Sequence, residues 1–294
     1  MRTITDIRKE YFKKLDYLDL ELIIAHALKK SREFVVSHLE YELSEARLAA
    51  IQSFVVRRAK HEPLAYILGH KEFYGFDFKV TPNTLIPRPE TESLVEDVLR
   101  HLQAADRGQK TVIDIGTGSG NIIISLARIL SDSKFQIPNS KFYGIDISKE
   151  ALRIAKHNAK SNGVSEKIKF LHGNLLEPMF EIHSAFRIPH SIIITANLPY
   201  LSREIYDATL PNVKKYEPKS ALYSPDEGLA HYEALFKQLE KTIANYGPQI
   251  EIFLEISPEQ KTKLPKLIKK HLPDARVEFR KDLAGKWRVC HIAL

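Results

Sequence analysis

The sequence predicts an α/β fold: a doubly wound, mostly parallel sheet that ends in an antiparallel hairpin, behind a small helical N-terminal domain. Three observations predict it. From residue 110 onward, short apolar runs alternate with helical patterns, which implies a parallel sheet with helices on both faces. The first run, TVIDIG, turns through glycines into the next helix, as at the ligand edge of open α/β sheets. The last two runs, RVEFRKD and KWRVCHIAL, have only Leu283–Lys286 between them. A parallel crossover needs a dozen residues or more, so this pair must be antiparallel.

The elements come in order along the chain. Leu15, Leu18, Leu22, Ile23, Ala25 and Leu28 recur near a 3.6 period and predict an apolar helix face. Ser44 is an N-cap for a helix through Ala46, Leu48, Ile51, Phe54 and Val55, which Pro63 ends at the latest. FYGFDFKV alternates around a glycine and predicts a hairpin. Pro82, Pro87 and Pro89 stiffen the connection after it. Three regions result: a helical domain over 1–74, a hairpin and proline-rich linker over 75–90, and the main domain over 91–294. Thr91–Gln103 opens that domain as a helix. Strands then come in KFYGID, KIKFLHGN, SIIITA and QIEIFLEIS. Between them lie helices in NIIISLARIL, in SKEALRIAKHNAKSNG with Gly163 as its C-cap, and in EGLAHYEALFKQLEKTIANYG closed by its glycine. The stretch SDSKFQIPNS reads as a loop. KTKLPKLIKKHL is a lysine-rich helix whose charge reads as a solvated face.

Composition narrows the function classes. With 294 residues, 44% hydrophobic and 28% charged, the chain is neither disordered nor fibrous. The net charge of +7 is spread out: residues 1–75 carry 13 basic and 11 acidic side chains, so there is no basic arm. The single cysteine, Cys290, excludes an intramolecular disulfide and a multi-thiolate zinc site. No apolar run approaches the roughly 18–20 residues of a membrane span, and the opening MRTITDIRKEYFKK is too polar for a signal peptide. A cytoplasmic protein is expected. His101, His172, His231 and His291 show no ligand spacing, and no metal is expected.

Four positions carry chemistry. Gly116-Thr117-Gly118-Ser119-Gly120 sits between strand and helix, where glycines permit a tight turn and a close ligand. Asn121 stands where a dinucleotide fingerprint needs glycine, and no phosphate-binding G-x-x-x-x-G-K-[ST] occurs. Asp146, at the end of the next strand, can accept from both ribose hydroxyls of a nucleoside, and Ser148 is available to cap the following helix in its place. Asn174, after the third strand, offers a donor and an acceptor to an adenine edge. Asn197-Leu198-Pro199-Tyr200 follows the fourth strand. A conjugated NH2 group is a poor nucleophile, so a site that alkylates it must hold its N–H groups on acceptors. The Asn197 side-chain oxygen and the Leu198 carbonyl are such acceptors. Pro199 stiffens the loop, and Tyr200 offers a flat face that favours developing positive charge.

Over nearly its whole length the chain resembles the HemK/PrmC family of protein-(glutamine-N5) methyltransferases. The resemblance lies in EPLAYILGHKEFYGFDFKV (Glu62–Val80), LIPRPETESLVE (Leu85–Glu96), DIGTGSGNI, GIDIS, ALRIAKHNAKSNG, YEPKSALYSPDEGLAHYEAL (Tyr216–Leu235), EIFLEIS and DLAGKWRV (Asp282–Val289). It implies a seven-stranded class I S-adenosylmethionine-dependent methyltransferase domain and an N-terminal domain that docks the substrate. By motif match, Gly116, Thr117, Gly118, Ser119 and Gly120 line the methionine part of S-adenosylmethionine, Asp146 the ribose, and Asn174 and Leu175 the adenine. Asn197, Leu198, Pro199 and Tyr200 hold the substrate glutamine, with Asn197 also beside the cofactor. Arg88, Glu90 and Thr91 lie near the pocket mouth, an interdomain ion pair being the plainer role for Arg88. Three positions depart from the family pattern. Leu198 replaces a proline but keeps its carbonyl, Asn174 replaces an aspartate, and Leu175 replaces a residue often aromatic.

The implied reaction is methyl transfer to the glutamine of the Gly-Gly-Gln motif in class-1 peptide-chain release factors. The alternative is an adenine-N6 methyltransferase of RNA or DNA, because Asn-Leu-Pro-Tyr also occurs in rRNA adenine dimethyltransferases. A non-catalytic module and a hydride-transfer enzyme are further readings, opposed by Asp146 with Asn197 and by the glycine spacing. A release factor is the expected partner. Membrane association and direct nucleic-acid binding are not expected, and a monomer is.

Overall fold

A computed structural model describes residues 2–104, 108–131, 140–181, 191–246 and 250–294. Two compact units are present. One holds the residues up to His70 together with Leu210–Tyr216, and the other holds Lys71–Thr209 and Glu217–Leu294.

The first unit is helical. Helices run over Ile4–Tyr11, Tyr17–Leu28, Arg32–Ser37, Glu45–Ala59, Leu64–Leu68 and Pro211–Tyr216, with one short antiparallel pair, Arg2–Thr3 and Glu42–Leu43. Ser44 caps its helix as the sequence predicts, accepting from the Arg47 N–H at 3.4 Å. The apolar face of Tyr17–Leu28 differs from the prediction. Asp16 caps this helix through the Leu18 N–H, which fixes its start and leaves Leu15 outside it. Leu20, Ile24 and Ala27 are buried beside the predicted Ile23, Ala25 and Leu28, whereas Leu18 in the first turn is 47% exposed. Glu21 is buried on the same helix between Arg8 (3.3 Å) and Arg32 (2.8 Å). The helix Pro211–Tyr216 is tied into the unit by the Tyr216 hydroxyl, which donates to the Lys60 carbonyl at 3.0 Å.

The second unit is a seven-stranded sheet. Its strands are β1 (Thr111–Ile115), β2 (Lys141–Asp146), β3 (Ile168–His172), β4 (Ile192–Ala196), β5 (Ile250–Glu255), β6 (Arg276–Lys281) and β7 (Trp287–Ala293). The order is β6-β7-β5-β4-β1-β2-β3. β1 to β5 are parallel, and β7 runs antiparallel to both β5 and β6. The main helices are α1 (Glu92–Ala104), α2 (Asn121–Ile129), α3 (Lys149–Ser161), α4 (Ala230–Tyr246) and α5 (Gln260–His271). Alternation along each strand feeds two cores. Ile113, Ile145, Ile194 and Ile252 pack with Tyr232, Leu235 and Phe236 of α4 and Leu264 and Ile268 of α5. On the opposite face, Val112, Phe142, Ile193, Phe253 and Val289 pack with Leu94, Val95 and Val98 of α1 and Ile123 and Leu126 of α2.

Several boundaries are refined. Pro89–Thr91 forms a separate 3-10 turn before α1. Asn162 caps α3, and Gly163 follows it at φ +71°. The turn Pro225–Gly228 precedes α4 as a separate piece. The glycine expected to close α4, and nearly all of the loop SDSKFQIPNS, lie outside the described residues. The hairpin pairs His70–Phe73 with Phe76–Lys79. Tyr74 and Gly75 between them both have positive φ, the requirement of a type I′ turn. On α5, Gln260, Leu264, Ile268 and His271 are buried, while Lys270 pairs with Glu233 at 2.8 Å and Lys261 lies 4.1 Å over the Trp287 ring. Its lysines form a solvated, locally paired face.

Candidate active site

Strand order reverses between β1 and β4, and open α/β sheets bind ligands at the strand C-termini at such a point. The loop after β1 is shaped there by backbone bonds: the Thr117 N–H donates to Ile145 O (2.9 Å) and the Gly120 N–H to Thr117 O (2.7 Å). Gly116, Gly118 and Gly120 all take positive φ. A Cβ on Gly116 would sit 3.2 Å from Leu198 Cδ2, so the glycine lets the two loops approach.

Asp114, deep in β1, holds both loops. Its Oδ2 accepts from Thr117 Oγ1 at 2.6 Å and its Oδ1 from Thr195 Oγ1 at 2.8 Å. Burial pushes its carboxyl up to about 7 against these two hydroxyls. The sequence signal was a lone acid within TVIDI, every residue of which is buried.

Asp146 ends β2. Its Oδ2 accepts from the Gly118 N–H and its Oδ1 from the Ser148 N–H, both at 2.8 Å. Ser148 caps α3 through its hydroxyl, yet Asp146 is not thereby freed, because both oxygens carry a backbone N–H. One further lone pair on each oxygen suits a pair of hydroxyls. Burial raises the Asp146 pKa, opposed chiefly by these backbone bonds. Asn174 donates through Nδ2 to Glu177 at 3.0 Å, and Leu175 is buried in a left-handed conformation at φ +52°.

Asn197, Leu198 and Pro199 follow β4. The Asn197 Nδ2 donates to Thr91 Oγ1 at 3.2 Å. Leu198 is 3% exposed and belongs to the core under α4, so the residue in place of the family's proline anchors the loop by its side chain. Tyr200 turns away from the cleft: its ring packs on that core and its hydroxyl donates to Glu255 Oε1 at 3.2 Å. Burial raises the Tyr200 pKa, and so does the neighbouring Glu255. Arg88 meets the buried Glu217 at 2.5 Å, and the Ile86 N–H donates to the other Glu217 oxygen at 3.2 Å. This ion pair lies within one unit, not between two.

These segments wall one cavity of about 350 Å³, a size typical of small-molecule sites. Of the residues singled out from sequence, Gly116, Thr117, Gly118, Ser119, Asp146, Asn174, Leu175, Asn197, Leu198, Pro199, Arg88 and Thr91 line it. Gly120, Glu90 and Tyr200 do not. His231, which shows no ligand spacing in the sequence, lines it as well, with Nδ1 2.8 Å from Ser224 Oγ. Burial lowers the His231 pKa. Asp114, Glu217 and Glu255, which lie in DIGTGSGNI, YEPKSALYSPDEGLAHYEAL and EIFLEIS, support the site together with Thr195, and none of the four had been given a role from sequence. Away from the cleft, the structure gathers three residues the sequence left apart: donor atoms of His101, Glu251 and His291 lie within 4.8 Å of one another.

The cleft suits S-adenosylmethionine. Its glycine loop leaves room for a chain against the backbone, Asp146 presents two anchored oxygens to a diol, and Ile115, Ile122, Ile145 and Leu175 give apolar walls. An antiparallel β7 wedged between β5 and β6 sets the sheet apart from dinucleotide-binding folds. Sheet and cleft together define a class I S-adenosylmethionine-dependent methyltransferase. Residues 12–69 match the PrmC N-terminal domain and residues 106–270 a methyltransferase domain. Release factor glutamine methyltransferase of Bacillus anthracis is 32% identical over 92% of this chain and 89% of that protein. Its namesake in Enterococcus faecalis is 35% identical over 86% and 83%, and that of Dictyoglomus turgidum 34% over 97% and 93%. The chain belongs to the release factor glutamine methyltransferase family. Among solved structures, the hMettl16 catalytic domain in complex with a 3′UTR hairpin matches at TM-score 0.53 and 16% identity, covering 82% of this chain and 81% of that one. That likeness is one of fold. Among the described residues, no helix is long and apolar enough to cross a membrane.

Proposed function

We propose that the protein methylates the side-chain amide nitrogen, N5, of the glutamine in the Gly-Gly-Gln motif of class-1 release factors. The observation that carries this reading is the placement of Asn197, Leu198 and Pro199 on the same cavity wall as the glycine loop. A planar primary amide needs acceptors for its two N–H groups, and Asn197 Oδ1 with the Leu198 carbonyl supplies them. S-adenosylmethionine, when bound, supplies the electrophilic methyl group. Gly116 to Ser119 would hold its methionine part, Asp146 the ribose hydroxyls, and Asn174 with Leu175 the adenine. With the cofactor bound, the glutamine nitrogen would take the methyl group through its lone pair, the sulfur would keep the electrons of the carbon–sulfur bond, and the proton shed by the nitrogen would pass to solvent. Holding nitrogen and carbon in line, and stabilising charge on the nitrogen, supply most of the rate.

The helical unit, matched by the PrmC N-terminal domain, is the part we assign to docking the release factor. Arg88, paired with Glu217 at the cleft wall, shapes the glutamine's entry. The protein is read as cytoplasmic and monomeric, with no direct nucleic-acid partner.

Mass spectrometry of a release factor incubated with the protein and S-adenosylmethionine is the test. A methyl group is expected on the Gly-Gly-Gln glutamine, absent from a glutamine-to-alanine substrate. The Asn197→Ala protein should transfer at least about 100-fold more slowly. Methyl on adenine in RNA or DNA, with none on the release factor, would replace this reading with the nucleic-acid enzyme.

A further inference from the structure

We infer that His101, Glu251 and His291 bind a divalent transition-metal ion, Zn2+ being the one this ligand set fits, and that the ion fastens the last turn of α1 to β5 and β7. The site is separate from the cleft and does not depend on the reaction proposed there.

No ligand spacing marks these residues in the sequence, because the sheet and one helix assemble them from distant segments. β7 pairs antiparallel with β5 so that His291 stands opposite Phe253 and Ala293 opposite Glu251. Residues two apart on a strand share a face. His291 and Glu251 are therefore diagonal neighbours, on the face where Phe253 packs with α1. His101 lies in the last turn of α1. All three side chains are half-buried, and one donor atom from each lies within 4.8 Å of the other two. Aromatic packing holds the imidazoles. His291 lies flat on Phe253, with ring centroids 4.4 Å apart and planes inclined by 8°. His101 meets Phe253 at 5.5 Å and His291 at 5.4 Å, inclined to the latter by 63°. Rings set at such an angle can aim a nitrogen each at a common point, which face-to-face rings cannot.

His291 Nε2 sits 2.6 Å from Glu251 Oε2. Without an ion this contact is a hydrogen bond, and it accounts for two of the three residues. It does not account for His101, which the helix brings to the same point; a shared ion accounts for all three. Two imidazoles and a carboxylate make one of the sets that hold Zn2+ and leave a fourth position open. Ligand atoms about 2.0–2.1 Å from a tetrahedral centre stand about 3.4 Å apart. The His291–Glu251 contact would open slightly to reach that spacing, and His101 would close in. Mg2+ and Ca2+ call for about six or more oxygen ligands, which one carboxylate does not supply. Arg280 is the charge that most opposes a cation on this face, and Asp97 takes it up at 3.2 Å.

The ion's role is structural. α1 begins directly after Thr91 of the cleft wall, and His101 is about 15 Å further along its axis. The ion therefore touches neither cofactor nor substrate. It holds down the far end of the helix whose near end meets the cleft.

The test uses the full chain, free of any affinity tag and treated with a chelator. Calorimetry with Zn2+ alone, and separately with Mg2+ alone, measures binding. Thermal unfolding with and without Zn2+ measures its coupling to the fold. His101→Gln, Glu251→Gln and His291→Gln are compared with His157→Gln, which alters an exposed histidine on α3. Expected is a Zn2+ site in the wild type and in His157→Gln, with no heat from Mg2+. Each of the other three variants should lose at least about 10-fold in Zn2+ affinity, the smaller cost of losing even an outer-shell partner. Zn2+ should raise the Tm of the wild type, as a ligand of the folded state does, and leave the Tm of those three variants in place. Equal Zn2+ affinity in all the proteins, or equal binding of Mg2+ and Zn2+, would overturn the inference. Diffraction at the zinc edge from wild-type crystals soaked in Zn2+ decides without any variant. A peak between His101, Glu251 and His291 supports the site, and peaks only elsewhere refute it.

Discussion

Asp114 binds one hydroxyl from each side of the sheet reversal and is 1% exposed. Its folded pKa, up at about 7, exceeds the ordinary 3.8. The folded protein therefore holds this proton more tightly than the unfolded chain. The stability gained is fully present below the ordinary value and is lost as pH rises through about 7. A rise of that size corresponds to about 4 kcal/mol. Asp114→Asn should remove the loss: thermal unfolding from about pH 4 to about pH 8 should show the wild type losing stability relative to the variant as pH rises. A constant difference across that range would show that Asp114 keeps an ordinary pKa. Leu198 shows a second residue-scale point. A proline would stiffen the loop through its ring, whereas here a buried side chain against Gly116 anchors the same carbonyl.

At the scale of elements, the turn Pro225–Gly228 is bound to the loop after β4. A Cβ on Gly228 would land on the Tyr200 carbonyl oxygen, and Gly228 has φ +85°. Gly228→Ala should therefore displace Tyr200, cost about 1–3 kcal/mol through backbone strain, and lower turnover more than it lowers S-adenosylhomocysteine affinity. Denaturant unfolding and calorimetry check the two parts, and wild-type kcat in this variant would sink the coupling. The strands were legible because each is a short β-branched or aromatic run bounded by turn residues, and KFYGID matches β2 residue for residue. The antiparallel end was legible from the shortness of one connection. The face of Tyr17–Leu28 was not, because several apolar residues on one helix allow more than one stripe and the Asp16 cap chooses among them. Glu217 and Glu255 stand inside segments that carry the resemblance, but their partners were not legible. Each acts on a residue far along the chain, Arg88 and Tyr200 respectively, and only the folded chain brings them together.

For the whole molecule, a charge of +7 makes salt dependence a test of the proposed protein substrate. In the helical unit Arg8 and Arg32 share Glu21, and Arg57 and Arg58 pair with Glu62 and Asp19, so four arginines are paired with three carboxylates. A protein that neutralised several phosphates would lose about 10³-fold or more in affinity between about 50 and 200 mM salt. The KM for release factor should rise less than about tenfold over that range, and steady-state kinetics at several salt concentrations would show it. A steeper rise would point to a polyanionic substrate. The excursion of Pro211–Tyr216 into the helical unit belongs to this scale too, since local composition gives no sign of it.

Because a single buried carboxylate fastens the turn after β1 and the strand leading to Asn197, the gap a methyl group must cross is set inside the sheet. The acceptor loop starts two residues beyond Thr195, so the donor and acceptor walls share that one fastening.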